Sequence, residues 1–210
     1  LAQTIGLPMV ALAPGSAMRD IPGVRIDDVA AAHALTTHLI EHGHRRIAFV
    51  QLPGSHVGAT RLAGHRAALR DAGLPQDPDL IWEGRPFFAD GLRLADAHLG
   101  GPLRFSAVMA ANDDMAAAFV NTALRRGLHL PDDLSVTGFD DTPIASKIWP
   151  GLTTVRQPLA LIAEQATELL VNMLRDPAAP RPGTSLVDYE LITRASVGPP
   201  AHNRPSPPGQ

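Results

Sequence analysis

Short continuous apolar runs in this chain alternate with longer stretches in which apolar residues recur every three or four positions. The runs predict strands at Leu7 to Leu12, Val24 to Ile26, Ile47 to Gln51 (IAFVQ), Leu80 to Glu83, Ala107 to Ala111, Leu134 to Gly138 and Val187 to Ile192. The spaced stretches predict helices. One starts at Asp28, its expected cap, and runs to His42 before Gly43. A second passes through Arg61, Leu62, Leu69 and Ala72 and ends at Gly73, with Pro75 beyond it. Others cover Asp90 to Leu99 and Asp114 to Arg126, and a last one begins at Leu159 and keeps Ile162, Ala166, Leu169, Leu170 and Met173 in helical register. An irregular stretch leads through Trp149-Pro150 into LTTVRQP, and the residues from about Val197 (VGPPAHNRPSPPGQ) read as a disordered tail.

Strands alternating with helices of this length form βαβ units, so the fold class is α/β, with parallel sheets flanked by helices. Runs such as AVMAA fit strands buried on both faces. Ligands of such sheets sit beyond the carboxyl ends of the strands. Polar residues cluster at those ends: Ser55 and His56 after one strand, Asn112, Asp113 and Asp114 after another, Asp140 and Asp141 after a third. They are expected to share one rim.

Each of these groups has a structural and a chemical reading. Asp114 precedes a helix and is expected to cap it. Asn112 serves either as a turn-stabilising side chain or as a ligand contact, since an amide both donates and accepts. Asp140 follows Gly138-Phe139 with no evident helix after it, so a carboxylate accepting hydroxyl protons from a polyol fits it better than a cap. Arg61 lies early in its helix, where a guanidinium can clamp a carboxylate, phosphate or vicinal diol, or form a surface ion pair. His38, His42 and His44 lie close together, but HLIEH is not HExxH, and a solvated helix face is the expectation, with no metal and no cofactor. No GxSxG, GK[ST] or GxGxxG motif occurs, which leaves enzymatic chemistry without a motif.

Composition narrows the class. With 45% hydrophobic and 19% charged residues the chain reads as an ordinary globular protein. Its net charge is −3 and its arginines are scattered, which argues against nucleic-acid binding by this segment itself. The lack of cysteine excludes disulfides and thiolate sites, and no apolar run approaches the roughly 18 residues of a membrane span. Because the sequence opens on Leu1 and Ala2, it is expected to be a fragment of a longer protein.

The segments HLIEHGHRRIAFV, ATRLAGHRAALRDAGL, AVMAANDDMAAA, LPDDLSVTGFDDTPIA, PGLTTVRQPL and ELITRASV, in this order over about residues 5 to 200, resemble the effector-binding core of LacI/GalR-family transcriptional regulators. The resemblance implies a periplasmic-binding-protein-like type I fold with two subdomains and crossovers near Ile26, Val155 and Leu186. Residues 1–27 and 156–185 would be a remnant of an incomplete N-terminal subdomain. Residues 28–155 and 186–196 would form the C-terminal subdomain, and 197–210 the tail. It further implies an effector held between the subdomains, either a sugar or a nucleobase-like molecule, by Arg61, Asn112 and Asp140. Ser55, Val57, Phe87 and Gln157 join them. Val57 stands where many members carry Ser or Thr, and Pro86 stands where an aromatic often stacks, so Phe87 or Phe88 would serve from beside it. The expected partners are operator DNA, through a helix-turn-helix upstream of this segment, and a second copy in a homodimer. A cytoplasmic location without membrane contact follows from the same likeness. Two other readings compete: a periplasmic sugar-binding protein of a transport system, and a sugar hydrolase using Asp113 and Asp140.

Overall fold

In the computed structural model, residues 7–16, 18, 21–177 and 181–201 are described. Four parallel strands make the central sheet: β3 (Ile47–Gln51), β4 (Ile81–Glu83), β5 (Ala107–Ala110) and β6 (Ser135–Thr137), in the order β4-β3-β5-β6. The register is Phe49 opposite Ile81 and Met109, and Val108 opposite Val136. A second sheet joins β1 (Ala11–Leu12), β2 (Gly23–Arg25) and β8 (Thr184–Leu186) in parallel. An antiparallel pair, β7 (Thr154–Arg156) with β9 (Glu190–Ile192), links the two.

Helices α1 (Asp28–Glu41) and α2 (His56–Asp71) pack together, as do α3 (Phe88–His98) and α4 (Asp113–Arg125). Strand side chains alternate between these pairs, as the two-residue period requires. Ile47, Phe49, Ala107 and Met109 join a core with Leu35, Leu39, Leu62 and Leu69, which also takes in Val24 and Ile162. Ala48, Val50, Val108 and Ala110 meet Leu94, Met115 and Phe119 in the other. The remaining helices are α5 (Pro143–Lys147) and α6 (Leu159–Arg175), whose Ile162 and Ala166 are buried. Gly64 permits the close approach of α2 to α1, since a Cβ there would lie 2.2 Å from the Val29 carbonyl oxygen.

Several sequence expectations are corrected. Asp27, not Asp28, caps α1, its Oδ1 accepting from the backbone N–H of Val29 and Ala30. Asn112, not Asp114, caps α4, leaving Asp114 exposed. The run from Val187 to Ile192 is strand only from Glu190, in β9, β8 having ended at Leu186, and the stretch before Trp149 contains α5. The segment expected to be a loose tail is packed at its start: Gly198 is buried, its N–H and carbonyl bonded to Ser135 Oγ, while Val197 leans on the α1–α2 core. Residues 202–210 of that tail, and the first six of the expected fragment, lie outside the described residues.

Candidate functional site

The strand order reverses between β3 and β5. One crossover from β3 leads outward to β4, and the chain then returns across to β5 and β6. Loops leaving β3 and β5 therefore part in opposite directions and leave a crevice at the carboxyl ends of these strands. The Ser55 loop flanks it on one side and Asn112 on the other. Asp140 follows the neighbouring β6.

Arg61 forms the floor. It sits in the second turn of α2 and is only 4% exposed. Nε donates to Asp28 Oδ1 at 2.9 Å, one terminal nitrogen donates to the carbonyl of Ala111 and the other to Asp140 Oδ1 at 3.1 Å. The plane lies over the Phe139 ring, 3.6 Å from its centroid, where the ring's negative face favours a cation. Burying a guanidinium is costly unless it is paired, and here two carboxylates, a carbonyl and a ring replace its water. Burial raises the pKa of Asp28, with the Arg61 charge and hydrogen bond opposing it.

Asp140 is the partly open partner. Its side chain is 29% exposed, and its Oδ1 also accepts from Gln157 Nε2 at 2.8 Å. No hydrogen bond among the described residues reaches its Oδ2. Its backbone is held at φ 103°, with its N–H donating to the Val155 carbonyl at 2.8 Å. Non-glycine residues rarely adopt this conformation, and such strain concentrates at binding sites. Asp141, at φ 50°, points elsewhere and accepts from Arg194 at 2.6 Å and Arg156 at 2.7 Å. Burial alone would raise its pKa, but the hydrogen bonds and charges of these two arginines hold it below the usual value.

Asn112 combines both of its sequence readings in one side chain. Its Oδ1 accepts from the Met115 N–H at 2.9 Å as the α4 cap, and its Nδ2 donates to the Pro86 carbonyl at 3.3 Å. Phe87 stands beside that carbonyl at the start of α3 and is 57% exposed, whereas Phe88 is half-buried. Ser55 caps α2, its Oγ accepting from the Gly58 N–H at 3.4 Å. Val57 touches the Gly15 turn, where a Cβ would come within 2.6 Å of Val57 Cγ2.

Asp113 takes a role that sequence reasoning missed. It is fully buried, Oδ1 accepting from Thr154 Oγ1 and Oδ2 from both the N–H and hydroxyl of Thr142. Burial pushes its pKa up to about 6 against these three hydrogen bonds. Both oxygens are engaged inside the protein, so the pairing of Asp113 with Asp140 expected of a sugar hydrolase offers no open acid. Asp113 instead ties α4 to the segments carrying Thr142 and Thr154. The nearby Thr after Asp141 was the one signal for this in the sequence. Among the described residues no cluster of His, Asp and Glu could hold a metal, and no helix is long and apolar enough to cross a membrane.

The profile of the periplasmic binding protein-like domain family matches residues 36–197. The structure of a regulatory protein of the LacI family from Chloroflexus aggregans superposes with a TM-score of 0.82 at 36% identity, covering 91% of this chain and 69% of that one. The transcriptional regulator CelR in complex with cellobiose superposes with a TM-score of 0.81 at 30% identity, covering 89% and 57%. The HTH-type transcriptional repressor CytR of Escherichia coli (strain K12) is 34% identical over 194 residues, 90% of this chain and 56% of the repressor. The chain spans about half the length of the curated relatives it matches.

Proposed function

The chain belongs to the LacI family of regulatory proteins, and from that premise we propose that it is the effector-sensing core of a DNA-binding transcriptional repressor. The carrying observation is the Arg61–Asp140 pair at the switch point, with Asp140 Oδ2 unengaged among the described residues. A carboxylate oxygen, the spare guanidinium protons and the Asn112 amide suit a small molecule rich in hydroxyl or ring N–H groups. A sugar is the favoured class, and a nucleobase-like molecule the second. Phe87 offers an exposed ring face for the apolar side of such a ligand. These groups bind and orient a guest without a nucleophile or acid aimed at it, so the proposed role is binding rather than catalysis.

The mechanism is population shift between two subdomain orientations. Residues 1–27 and 156–185 belong to one subdomain in this reading, and 28–155 and 186–196 to the other. Gln157 comes two residues after the crossover at Val155, and its amide shares Asp140 Oδ1 with Arg61. A ligand hydroxyl at Asp140 competes with or reinforces the Gln157 bond, so the crossover registers occupancy. Such a ligand shifts the equilibrium only by its differential affinity for the two orientations. The output passes to operator DNA through a helix-turn-helix outside this segment, in a homodimer working in the cytoplasm.

A thermal-shift screen over sugars and nucleosides tests the proposal. A ligand at 100 times its Kd adds about 2.7 kcal/mol. For a protein of this size that raises Tm by roughly 5–11 °C. Asp140→Asn should lose most of the shift. Operator affinity of the full-length protein that is unchanged by every ligand found to bind would overturn the regulatory reading.

A further inference from the structure

Two consecutive aspartates follow β6 with positive φ, Asp140 at 103° and Asp141 at 50°. Residues other than glycine keep such a pair of angles only where their surroundings impose it. The side-chain bonds of Asp140 hold the tip of its carboxylate, since Arg61 and Gln157 both donate to Oδ1. Its backbone is held from the crossover strands. Asp140 forms a parallel bridge with Arg156, its N–H donating to the Val155 carbonyl. One residue on, the Asp141 carboxylate is 8% exposed and has both oxygens engaged. Oδ2 accepts from Arg156 Nε at 2.7 Å and Oδ1 from a terminal nitrogen of Arg194 at 2.6 Å.

Both arginines are themselves anchored. Arg156, on β7, also pairs at 2.9 Å with Glu190, which lies opposite it on β9. Arg194, two residues past β9, donates its N–H to Thr153 Oγ1 at 2.9 Å and a terminal N–H to the Leu152 carbonyl at 2.7 Å. From the other side Asp113 accepts the N–H and hydroxyl of Thr142 and donates its own N–H to the Phe139 carbonyl. The turn is therefore bracketed, and charge-assisted bonds of this kind are the stronger ones. Asp141 supplies the only ion pairs among the described residues that join the turn to β7 and to the segment after β9. Cutting them frees Asp140 to relax toward an ordinary φ, which swings its carboxylate away from the crevice.

We infer that Asp141 is a positioning residue for effector binding: through Arg156 and Arg194 it holds the strained turn that aims Asp140 Oδ2 into the crevice. The inference rests on the effector reading and deepens it, by assigning part of the affinity to a carboxylate that is already engaged elsewhere. Asp141→Asn tests it, because asparagine tolerates positive φ as aspartate does and the change removes only the charge. Arg156→Gln, at a half-exposed position, cuts one arm and guards against a misfolded first variant. NMR of the ligand-free 210-residue chain follows the Asp140 amide, and calorimetry measures Kd for the sugar or nucleoside that most raises the wild-type Tm. In Asp141→Asn the Asp140 amide resonance should move, its hydrogen exchange should quicken, and Kd should rise about tenfold or more. In Arg156→Gln the same changes should appear, with Kd up about threefold or more. Leu39→Ala, in the last turn of α1, should lower Tm yet leave the Asp140 amide and Kd unchanged, as a loss of packing alone would. An unmoved Asp140 amide, wild-type affinity in either clasp variant, or equal weakening in Leu39→Ala overturns the inference. Failure of every sugar and nucleoside to bind wild type sinks the effector reading and this inference together, a result distinct from a wild type that binds and an Asp141→Asn that binds equally.

Discussion

Replacing Arg61 by methionine keeps the aliphatic stem and removes the guanidinium. The variant leaves Asp28, 3% exposed, without its strongest partner and strips one donor each from Asp140 and the Ala111 carbonyl. Breaking one side of a buried ion pair costs about 3–5 kcal/mol, because the other charge stays in a poorly solvating interior. Urea unfolding at pH 7.5 should show that loss, with Tm lower by roughly 6–20 °C. Adding Asp28→Asn should restore part of it, giving a coupling of roughly 1–3 kcal/mol in a double-mutant cycle. The deficit also carries a pH signature. Burial already raises the folded-state pKa of Asp28, and losing Arg61 raises it further. A carboxylic acid needs no cation, so the variant gains stability relative to wild type as pH falls from 7.5 toward 4.5. A loss below about 1 kcal/mol, typical of an exposed bridge, or strictly additive substitutions would refute the idea that Arg61 is a buried keystone.

Asp113→Asn tests the other buried carboxylate. Its folded pKa, about 6 against an ordinary 3.8, means the native state binds the extra proton and wild-type stability declines as pH rises through 4 to 6. The advantage of wild type over the variant should shrink by up to roughly 3 kcal/mol between pH 4 and 7.5, at 1.36 kcal/mol per unit, and a constant difference in urea unfolding would contradict this. Asn112→Ala should cost about 0.5–2 kcal/mol by losing the α4 cap. Asn112→Asp should keep the cap, and calorimetry on a ligand from the screen should show at least tenfold weaker binding because the amide donor is gone. Gly138→Ala would place a Cβ 2.2 Å from Asp113 Oδ1, and a loss of about 1–3 kcal/mol in thermal unfolding is expected.

The long elements were legible because periodicity is a local property. Ile47–Gln51 is found with the bounds read from IAFVQ, and most helix ends fall within one or two residues of their glycine stops. Caps were not so legible. Asp27 and Asp28 are chemically identical capping residues one step apart, and only α2 decides the matter, by claiming Asp28 for Arg61. The five-residue α5 is too short to show a period, and nothing in the pattern of the run from Val187 to Ile192 marks that β9 starts only at Glu190. At the site, strand ends marked Asn112 and Asp140, but nothing local says that Arg61 is buried. Its partners lie 33, 50 and 79 residues away, and an arginine in isolation reads as surface.

Determining a crystal structure of the chain with whichever sugar or nucleoside gives the largest thermal shift tests the central claim most directly. The account predicts a ligand in the crevice between the ends of β3 and β5, with a hydroxyl or N–H on Asp140 and an acceptor facing Arg61. A ligand seated away from both residues, or one bound tightly while Asp140 and Arg61 touch only each other, would contradict it.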